Sequence, residues 1–347
     1  MPRIVQIADK MIGEGEYCFV IAEAGSNHNC TLEQAKQLID IAATSEVDAV
    51  KFQTFQADKI AARTKNEIVN INIAGSRTLH DLYKKLELPR EWQKELVNYA
   101  RDRRVIFLST PFDEEAVDEL DALAVPAFKV ASFELVHLPL LKHIARKGKP
   151  IILSTAMANL GDIEEAIEAI LEENNDQIIL LHCGIGYPLE MENVNLAAMD
   201  TLRQAFPYPI GYSDHTLGTT IPIAAVARGA NVIEKHFTIS RNLAGPDHSF
   251  ALEPHELGAM VQGIRDVNKA IGTPQKRVLV SEITHYQRGR RSIFAKVDIP
   301  KGIIITEDML AILRPGIGLK PKYLHLVVGR AAQVDIKAHT PITMDII

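Results

Sequence analysis

The sequence predicts an α/β protein, a (β/α)8 TIM barrel joined to a small C-terminal β-rich domain. Three observations predict it. Eight short apolar runs recur through the first part of the 347-residue chain, mostly separated by stretches with helical spacing. Alternation of strand and helix implies right-handed βαβ units and a parallel sheet. Eight units over about 270 residues suit a closed barrel better than an open sheet. The runs also end in polar residues at their carboxyl ends, which in a barrel is the face that carries the active site.

The runs cover residues 19–23, 47–53, 105–110, 127–132, 151–155, 178–183, 209–214 and 231–237. Apolar residues three and four apart mark helices over 32–44, 113–123, 163–172, 197–206, 219–228 and 253–271. Thr31 is the expected cap of the first helix, with Gln34 as its capping-box partner. The connection from Gln53 to Pro89 is oversized, the mark of a lid or binding loop. After residue 271 the chain changes character. The reading is a barrel over 1–275, a linker over 276–290 containing Arg288-Gly-Arg-Arg291, and a small domain over 291–347. Within that domain residues 299–310 align with 336–347, a weak repeat that predicts a pseudo-twofold β-rich fold. Arg314 sits on a turn-rich loop between the copies.

Net charge is −6, and no basic run with interleaved aromatics suggests nucleic acid. Three cysteines without metal spacing suit a reducing compartment. No apolar signal segment opens the sequence, and no run approaches the roughly 20 apolar residues of a membrane span. A cytoplasmic protein is the expectation.

The stretch Asn231-Val-Ile-Glu-Lys-His-Phe-Thr238 is the centre of the reading. As a strand it points Glu234 and His236 to one face and Lys235 to the other. His215 ends the preceding run, so two imidazoles stand at neighbouring strand ends, with Asp247 close behind. Such a pair suits Mn²⁺, Mg²⁺ or Zn²⁺; plain hydrogen-bonding histidines are the alternative. Lys51 and Lys129, with Thr110, Ser132, Ser154 and Ser213, form a small-anion cradle. Glu23 and Glu134 suit a general base or acceptors of sugar hydroxyls. A lone Ser or Thr at a strand end is more often a cap; the joint pattern over eight strands is harder to explain that way. The residues alone give a metal-assisted barrel enzyme acting on a small phosphorylated acid and a polyol.

Nine segments together resemble the sialic acid synthase family, which includes the N-acetylneuraminate, legionaminate and pseudaminate synthases and related spore-coat polysaccharide enzymes. They are Ala22-Glu-Ala-Gly-Ser-Asn-His-Asn29, Val50-Lys-Phe-Gln-Thr54, Ser109-Thr-Pro-Phe112, Lys129-Val-Ala-Ser132, Ile152-Leu-Ser-Thr155, Gly211-Tyr-Ser-Asp-His-Thr216, Glu234-Lys-His-Phe-Thr238, Gly245-Pro-Asp-His248 and Arg314-Pro-Gly316. The resemblance implies that the small domain is antifreeze-like (SAF) and that the protein is a domain-swapped homodimer. It implies condensation of phosphoenolpyruvate with an N-acylated aminohexose such as N-acetylmannosamine, giving a nine-carbon 2-keto sugar acid and phosphate. The implied cofactor is a divalent ion, Mn²⁺ with Mg²⁺ or Co²⁺ as alternatives, held by His215 and His236. By matching position, Lys51, Thr110, Lys129, Ser132, Ser154 and Ser213 are implied at phosphoenolpyruvate. Gln53, Glu134, Tyr187 and Asp247 are implied around the sugar. Glu23 is implied to handle water or the tetrahedral intermediate, and Arg314 to reach the N-acyl group from the partner. Glu23, Lys51 and His236 are the expected catalytic residues.

The sequence departs from the family at Gly184 and Ile185, which remove a donor near the phosphoenolpyruvate carboxylate. Losing one charge-assisted contact there costs about 1.5–3 kcal/mol unless backbone amides replace it. Arg288 and Arg290 replace apolar residues, Gly316-Ile-Gly318 replaces Gly-Asn-Gly, and Asn72 stands for a long-loop asparagine. These departures keep two alternatives open: a synthase for another or a phosphorylated aldose, and a silent carbohydrate-binding homologue.

Overall fold

A computed structural model describes residues 3–63 and 78–347; Asn72 lies outside the described residues. The chain divides into two units, Met1–Gly272 and Thr273–Ile347.

The first unit begins with an antiparallel hairpin, β1 (Val5–Ile7) and β2 (Lys10–Ile12). Eight parallel strands follow: β3 (Phe19–Gly25), β4 (Ala49–Thr54), β5 (Ile106–Pro111), β6 (Phe128–Val130), β7 (Ile151–Ser154), β8 (Ile178–Cys183), β9 (Ile210–Asp214) and β10 (Val232–His236). They form one sheet in the order β5-β4-β3-β10-β9-β8-β7-β6, with β5 and β6 side by side to complete the ring. The outer layer includes α1 (Leu32–Thr44), α2 (Ala57–Ile60), α3 (Leu79–Leu86), α4 (Gln93–Asp102), α5 (Glu114–Ala122), α6 (Leu138–Ala145), α7 (Leu160–Leu171), α8 (Ala198–Ala205), α9 (Thr220–Ala227) and α10 (Pro254–Ile271). The oversized β4–β5 connection thus carries helices of its own. Among the described residues no helix is long and apolar enough to cross a membrane.

Strand alternation builds two apolar layers and one polar one. Phe19, Ile21, Ala49, Leu108, Ile152, Ile179, Leu181 and Val232 fill the barrel interior, and Val5, Ile7 and Ile12 of the hairpin join them. The alternate residues, such as Val20, Val50, Leu153, Leu180 and Ile233, pack with the helices. Strands covered on both faces read as nearly continuous apolar runs, as the sequence does. At the carboxyl ends the interior turns polar: Glu23, Lys51, Thr110, Lys129, Ser154, Cys183, Ser213 and Glu234 follow one another around the ring.

The same alternation divides the strand-end polar groups that the sequence placed on one face. Ser109, Thr155, His182, Asp214 and Lys235 have structural partners instead: Thr54 Oγ1 (2.8 Å), Leu181 O (2.9 Å) and Val194 O (2.9 Å) for the first three. Lys235 and Asp214 form a fully buried pair at 2.5 Å. Lys235→Met removes the counter-ion of the buried Asp214, an expected loss of roughly 3–5 kcal/mol. A denaturant melt measures it, and pairing the change with Asp214→Leu recovers much of the loss. Thr31 does stand at the start of α1, but its side chain makes no cap. Its hydroxyl donates to Asn29 O, and Gln34 Nε2 reaches Asn27 O at 2.7 Å, so both serve the preceding loop.

In the second unit α11 (Ile283–Gly289) precedes a hairpin of β11 (Ser292–Ala295) and β12 (Leu310–Leu313); α12 (Leu324–Val327) follows. The repeat read from sequence is a pseudo-twofold. Ile299 and Ile336 exchange both backbone hydrogen bonds at 2.8 Å. The bond from Ile305 N to Arg330 O recurs, at the same offset, as Ile342 N to Ile293 O. Equivalent residues Ile299 and Ile336, Ile305 and Ile342, Leu310 and Ile347 share one core.

Candidate active site

The polar layer is a charge cluster enclosed by strands. Lys51 Nζ lies 2.7 Å from Glu23 Oε2 and 3.6 Å from Glu234 Oε2, and donates to Thr110 Oγ1 at 3.1 Å. Lys129 Nζ lies 3.8 Å from Glu234 Oε1 and donates to Ser154 Oγ at 2.7 Å. Ser213 Oγ donates to Glu234 Oε1 at 2.9 Å, and Gln53 Nε2 to Glu23 Oε1 at 2.8 Å. Two ammonium groups and two carboxylates therefore share one pocket and are all buried, where each interaction is stronger than at the surface.

Their surroundings divide the two carboxyls. Burial pushes Glu23 up; Lys51 opposes this and Glu234 adds to it, and the carboxyl settles at about 7. Burial acts on Glu234 in the same sense, but Lys129 and Lys51 outweigh it and hold this carboxyl at about 2. Desolvation lowers Lys129 below the usual lysine range. For Lys51, Glu23 and Glu234 overcome desolvation and raise it. One carboxyl able to exchange a proton near neutral pH thus faces one that stays ionised, a division suited to acid–base work.

His215 and His236 stand above this cluster with ring centroids 5.6 Å apart. His215 Nδ1 lies 2.8 Å from Gly184 O, so it carries the proton and leaves Nε2 with a free lone pair. His236 Nδ1 is enclosed and has no hydrogen-bond partner. Desolvation lowers both imidazoles, His215 to about 4, so both are neutral and fit to bind a cation. Among the described residues no three His, Cys, Asp or Glu side chains gather as a metal site. The residues fit an ion held by two imidazoles and completed by water or substrate oxygens.

Glu23, Lys51, Gln53, Thr110, Lys129, Ser132, Ser154, Tyr187, Ser213, His215 and His236 all line this pocket. Tyr187 packs its ring 4.5 Å from that of His215. Glu134 follows Ser132 on a 3-10 turn; burial pushes its carboxyl to about 7 against the pull of Lys129. Asp247 is not in the lining, and its Oδ2 accepts from Ser26 Oγ at 3.0 Å. Arg314 belongs to the second unit, where its Nε donates to Gly289 O at 2.8 Å. Six lining residues were absent from the expected set: Glu234, Cys183, Phe112, Ala131, Phe133 and Ile185. Glu234 had a signal, since it shares a strand face with His236. A wider cavity of about 750 Å³ opens beside Tyr208, Asn231 and Gly272, near the amino-terminal ends of β9 and β10. Its Arg203, Asn231 and Asn268 side chains all have internal partners.

Gly184 has a packing reason. A Cβ there would lie 2.6 Å from Leu189 Cδ2, a buried side chain. The residue that lacks a donor side chain supplies the carbonyl that orients His215.

Residues 38–276 match the NeuB family and residues 290–347 the SAF domain. The chain belongs to the NeuB family. It is 43% identical over 359 residues to the spore coat polysaccharide biosynthesis protein SpsE of Bacillus subtilis, covering 98% of this chain and 96% of that one. It is 41% identical over 334 residues to the N,N'-diacetyllegionaminic acid synthase of Legionella pneumophila, covering 94% of each. The solved N-acetylneuraminic acid (sialic acid) synthetase of Leptospira borgpetersenii serovar Hardjo-bovis superposes with a TM-score of 0.74 at 32% identity, covering 82% of this chain and 95% of that one. The two matches cover the barrel and the small domain in turn.

Proposed function

We propose that the protein condenses phosphoenolpyruvate with an N-acylated aminohexose, in a divalent-metal-dependent reaction that yields a nine-carbon 2-keto sugar acid and phosphate. The observation that carries this reading is the convergence of Lys51, Lys129, Glu23 and Glu234 beneath two neutral histidines in one pocket. Relatives named as legionaminic and pseudaminic acid synthases support it.

The two ammonium groups meet the phosphate and carboxylate of phosphoenolpyruvate, and Thr110, Ser154 and Ser213 add oriented hydroxyls. Carbon 3 attacks the sugar aldehyde: the enol π pair forms the new C–C bond, the carbonyl π pair moves to the aldehyde oxygen, which takes up a proton, and carbon 2 is left electron-poor. Water adds at carbon 2, Glu23 takes its proton, and the C–O bond to phosphate breaks. A divalent ion held by His215 and His236, Mn²⁺ in our reading, would act as a Lewis acid on the aldehyde oxygen. Gln53, Glu134 and Tyr187 are assigned to the sugar. Arg314 is assigned to its N-acyl group from the second subunit of a homodimer.

A phosphorylated acceptor is the second reading. Its support is the gathering of Arg288, Arg290 and Arg314 on one unit: Gly316 N donates to Gln287 O and Arg314 Nε to Gly289 O. Phosphate release from phosphoenolpyruvate with Mn²⁺ separates the readings. The panel holds N-acetylmannosamine, its 6-phosphate, a 2,4-diacetamido-6-deoxyhexose and an unacylated aldose, each with a chelator control. We expect chelator-sensitive release with an unphosphorylated N-acyl sugar. Release with the 6-phosphate alone favours the second reading, and sugar binding without release sinks both.

A further inference from the structure

We propose that Asp214 is a positioning residue for His215 and that Lys235 ties it to the strand that carries His236. The inference rests on the reading of His215 and His236 as the ion-binding pair. It gives the buried ion pair a task beyond stability, which is to set the two imidazoles against each other.

Asp214 is the last residue of β9 and His215 the first beyond it; Lys235 and His236 close β10. In the register of the two strands Lys235 stands beside Asp214, so each ion directly precedes one of the histidines. Asp214 closes a turn around His215. Its Oδ1 accepts from Thr216 N at 3.1 Å and its Oδ2 from Thr216 Oγ1 at 3.1 Å. A side-chain oxygen that takes the N–H two residues on fixes the residue between them at the centre of a turn. Lys235 Nζ donates to Asp214 Oδ2 at 2.5 Å and also to Thr216 O. The residues on both sides of His215 are thereby bound to the residue before His236.

Stability alone does not call for an ion pair here. Buried ion pairs replaced by well-packed apolar residues often leave a protein as stable or more so. An apolar pair, however, cannot accept from Thr216 or donate to its carbonyl. Asp214, Lys235 and Thr216 are all buried, and none of them lines the pocket. They act on the chemistry through the histidines and not by touching substrate. The other side of His215 is held by the loop after β8: its Nδ1 meets Gly184 O at 2.8 Å and its O accepts from Leu189 N at 2.9 Å. Two imidazoles whose ring centroids are 5.6 Å apart share one ion only while their lone pairs converge, so the two strand ends must keep their relative position. Groups that hold metal ligands in place in this way govern affinity without touching the metal.

The test is Mn²⁺ titration of the full-length, metal-free protein, read by the electron paramagnetic resonance signal of free Mn²⁺, with unfolding midpoints in chelator as the check on folding. Wild type and His215→Ala are compared with two double variants. Asp214→Leu with Lys235→Met puts apolar side chains in place of the ion pair and removes the turn. Asp214→Asn with Lys235→Met also removes the charges but keeps an oxygen for Thr216 N. The apolar variant is expected to bind Mn²⁺ roughly tenfold to a hundredfold more weakly than wild type, and the asparagine variant to regain part of that affinity. Wild-type affinity in the apolar variant overturns the proposal, because the pair is then structural only. Equal weakening in both double variants also overturns it, because the turn is then not what holds His215. If the apolar variant fails to fold, Thr216→Val carries the test, since it deletes one bond to Asp214 and leaves the ion pair: weaker binding supports the proposal and wild-type affinity overturns it. When wild type binds Mn²⁺ and His215→Ala does not, these results overturn only this inference. A wild type that binds no Mn²⁺, or a His215→Ala that binds as well as wild type, overturns the two-histidine reading and this inference with it.

Discussion

Alanine in place of His236 removes the metal dependence of phosphate release. The expected loss of activity exceeds the roughly 10–100-fold that residues behind a metal ligand typically cost. The argument is a count of donors. Among the described residues no cluster of three His, Cys, Asp or Glu side chains gathers, and in the proposed reading the protein's share of the coordination is His215 and His236. Taking away one leaves a single imidazole, which cannot hold an ion against water. His215→Ala therefore matches His236→Ala, and the double variant falls no further than either single, as for groups that act as one unit. Two histidines with separate hydrogen-bonding roles would give additive losses. Mn²⁺ titrations of phosphate release for the wild type and three variants decide it. Both rings border the pocket and not the apolar interior, so unfolding midpoints in chelator are expected to change little.

Most of this site was legible because strand periodicity carries it. The runs located the eight strands, the barrel rule located the working face, and a spacing of two put Glu234 and His236 on one side. What periodicity does not give is the phase at each strand end. Ser109, Thr155, His182 and Asp214 looked equivalent to their neighbours in sequence, yet each turns toward a structural partner one residue out of step. Loop-borne geometry was less legible still. Nothing in the sequence says that Gly184 offers its carbonyl to His215, or that Tyr187 packs its ring against that of His215. Those facts depend on where two loops meet, which has no period. The hairpin at Val5–Ile7 and Lys10–Ile12 also went unread, since three-residue strands are too short for alternation to register. In the small domain the repeat was visible because its two copies bury equivalent residues in one core, so both kept the same apolar spacing.

Glu23→Gln is expected to lower the turnover rate by about 10²–10⁴-fold, the range for loss of a general base, and to erase a step in the pH profile. Burial holds the Glu23 carboxyl at about 7, so wild-type activity rises as pH passes through that value and the carboxylate forms. An anionic substrate beside Glu23 disfavours its ionisation further. The step in kcat, which reports the bound state, therefore lies at higher pH than the step in kcat/KM. Glutamine keeps the shape and can still meet Gln53 and Lys51, but it has no proton to exchange in this range; its residual activity is flat where the wild type climbs. Stability supplies an independent check on the same group. The folded-state value lies above the ordinary 4.5, so the contribution of Glu23 to stability is full below about 4.5 and is lost as pH rises through about 7. The variant escapes that loss and gains stability relative to the wild type as pH rises across this window. A pH profile without a step near 7 in the wild type, or a step that survives in Glu23→Gln, would assign the proton transfer to another group; Glu134, also pushed to about 7 by burial, is the next candidate.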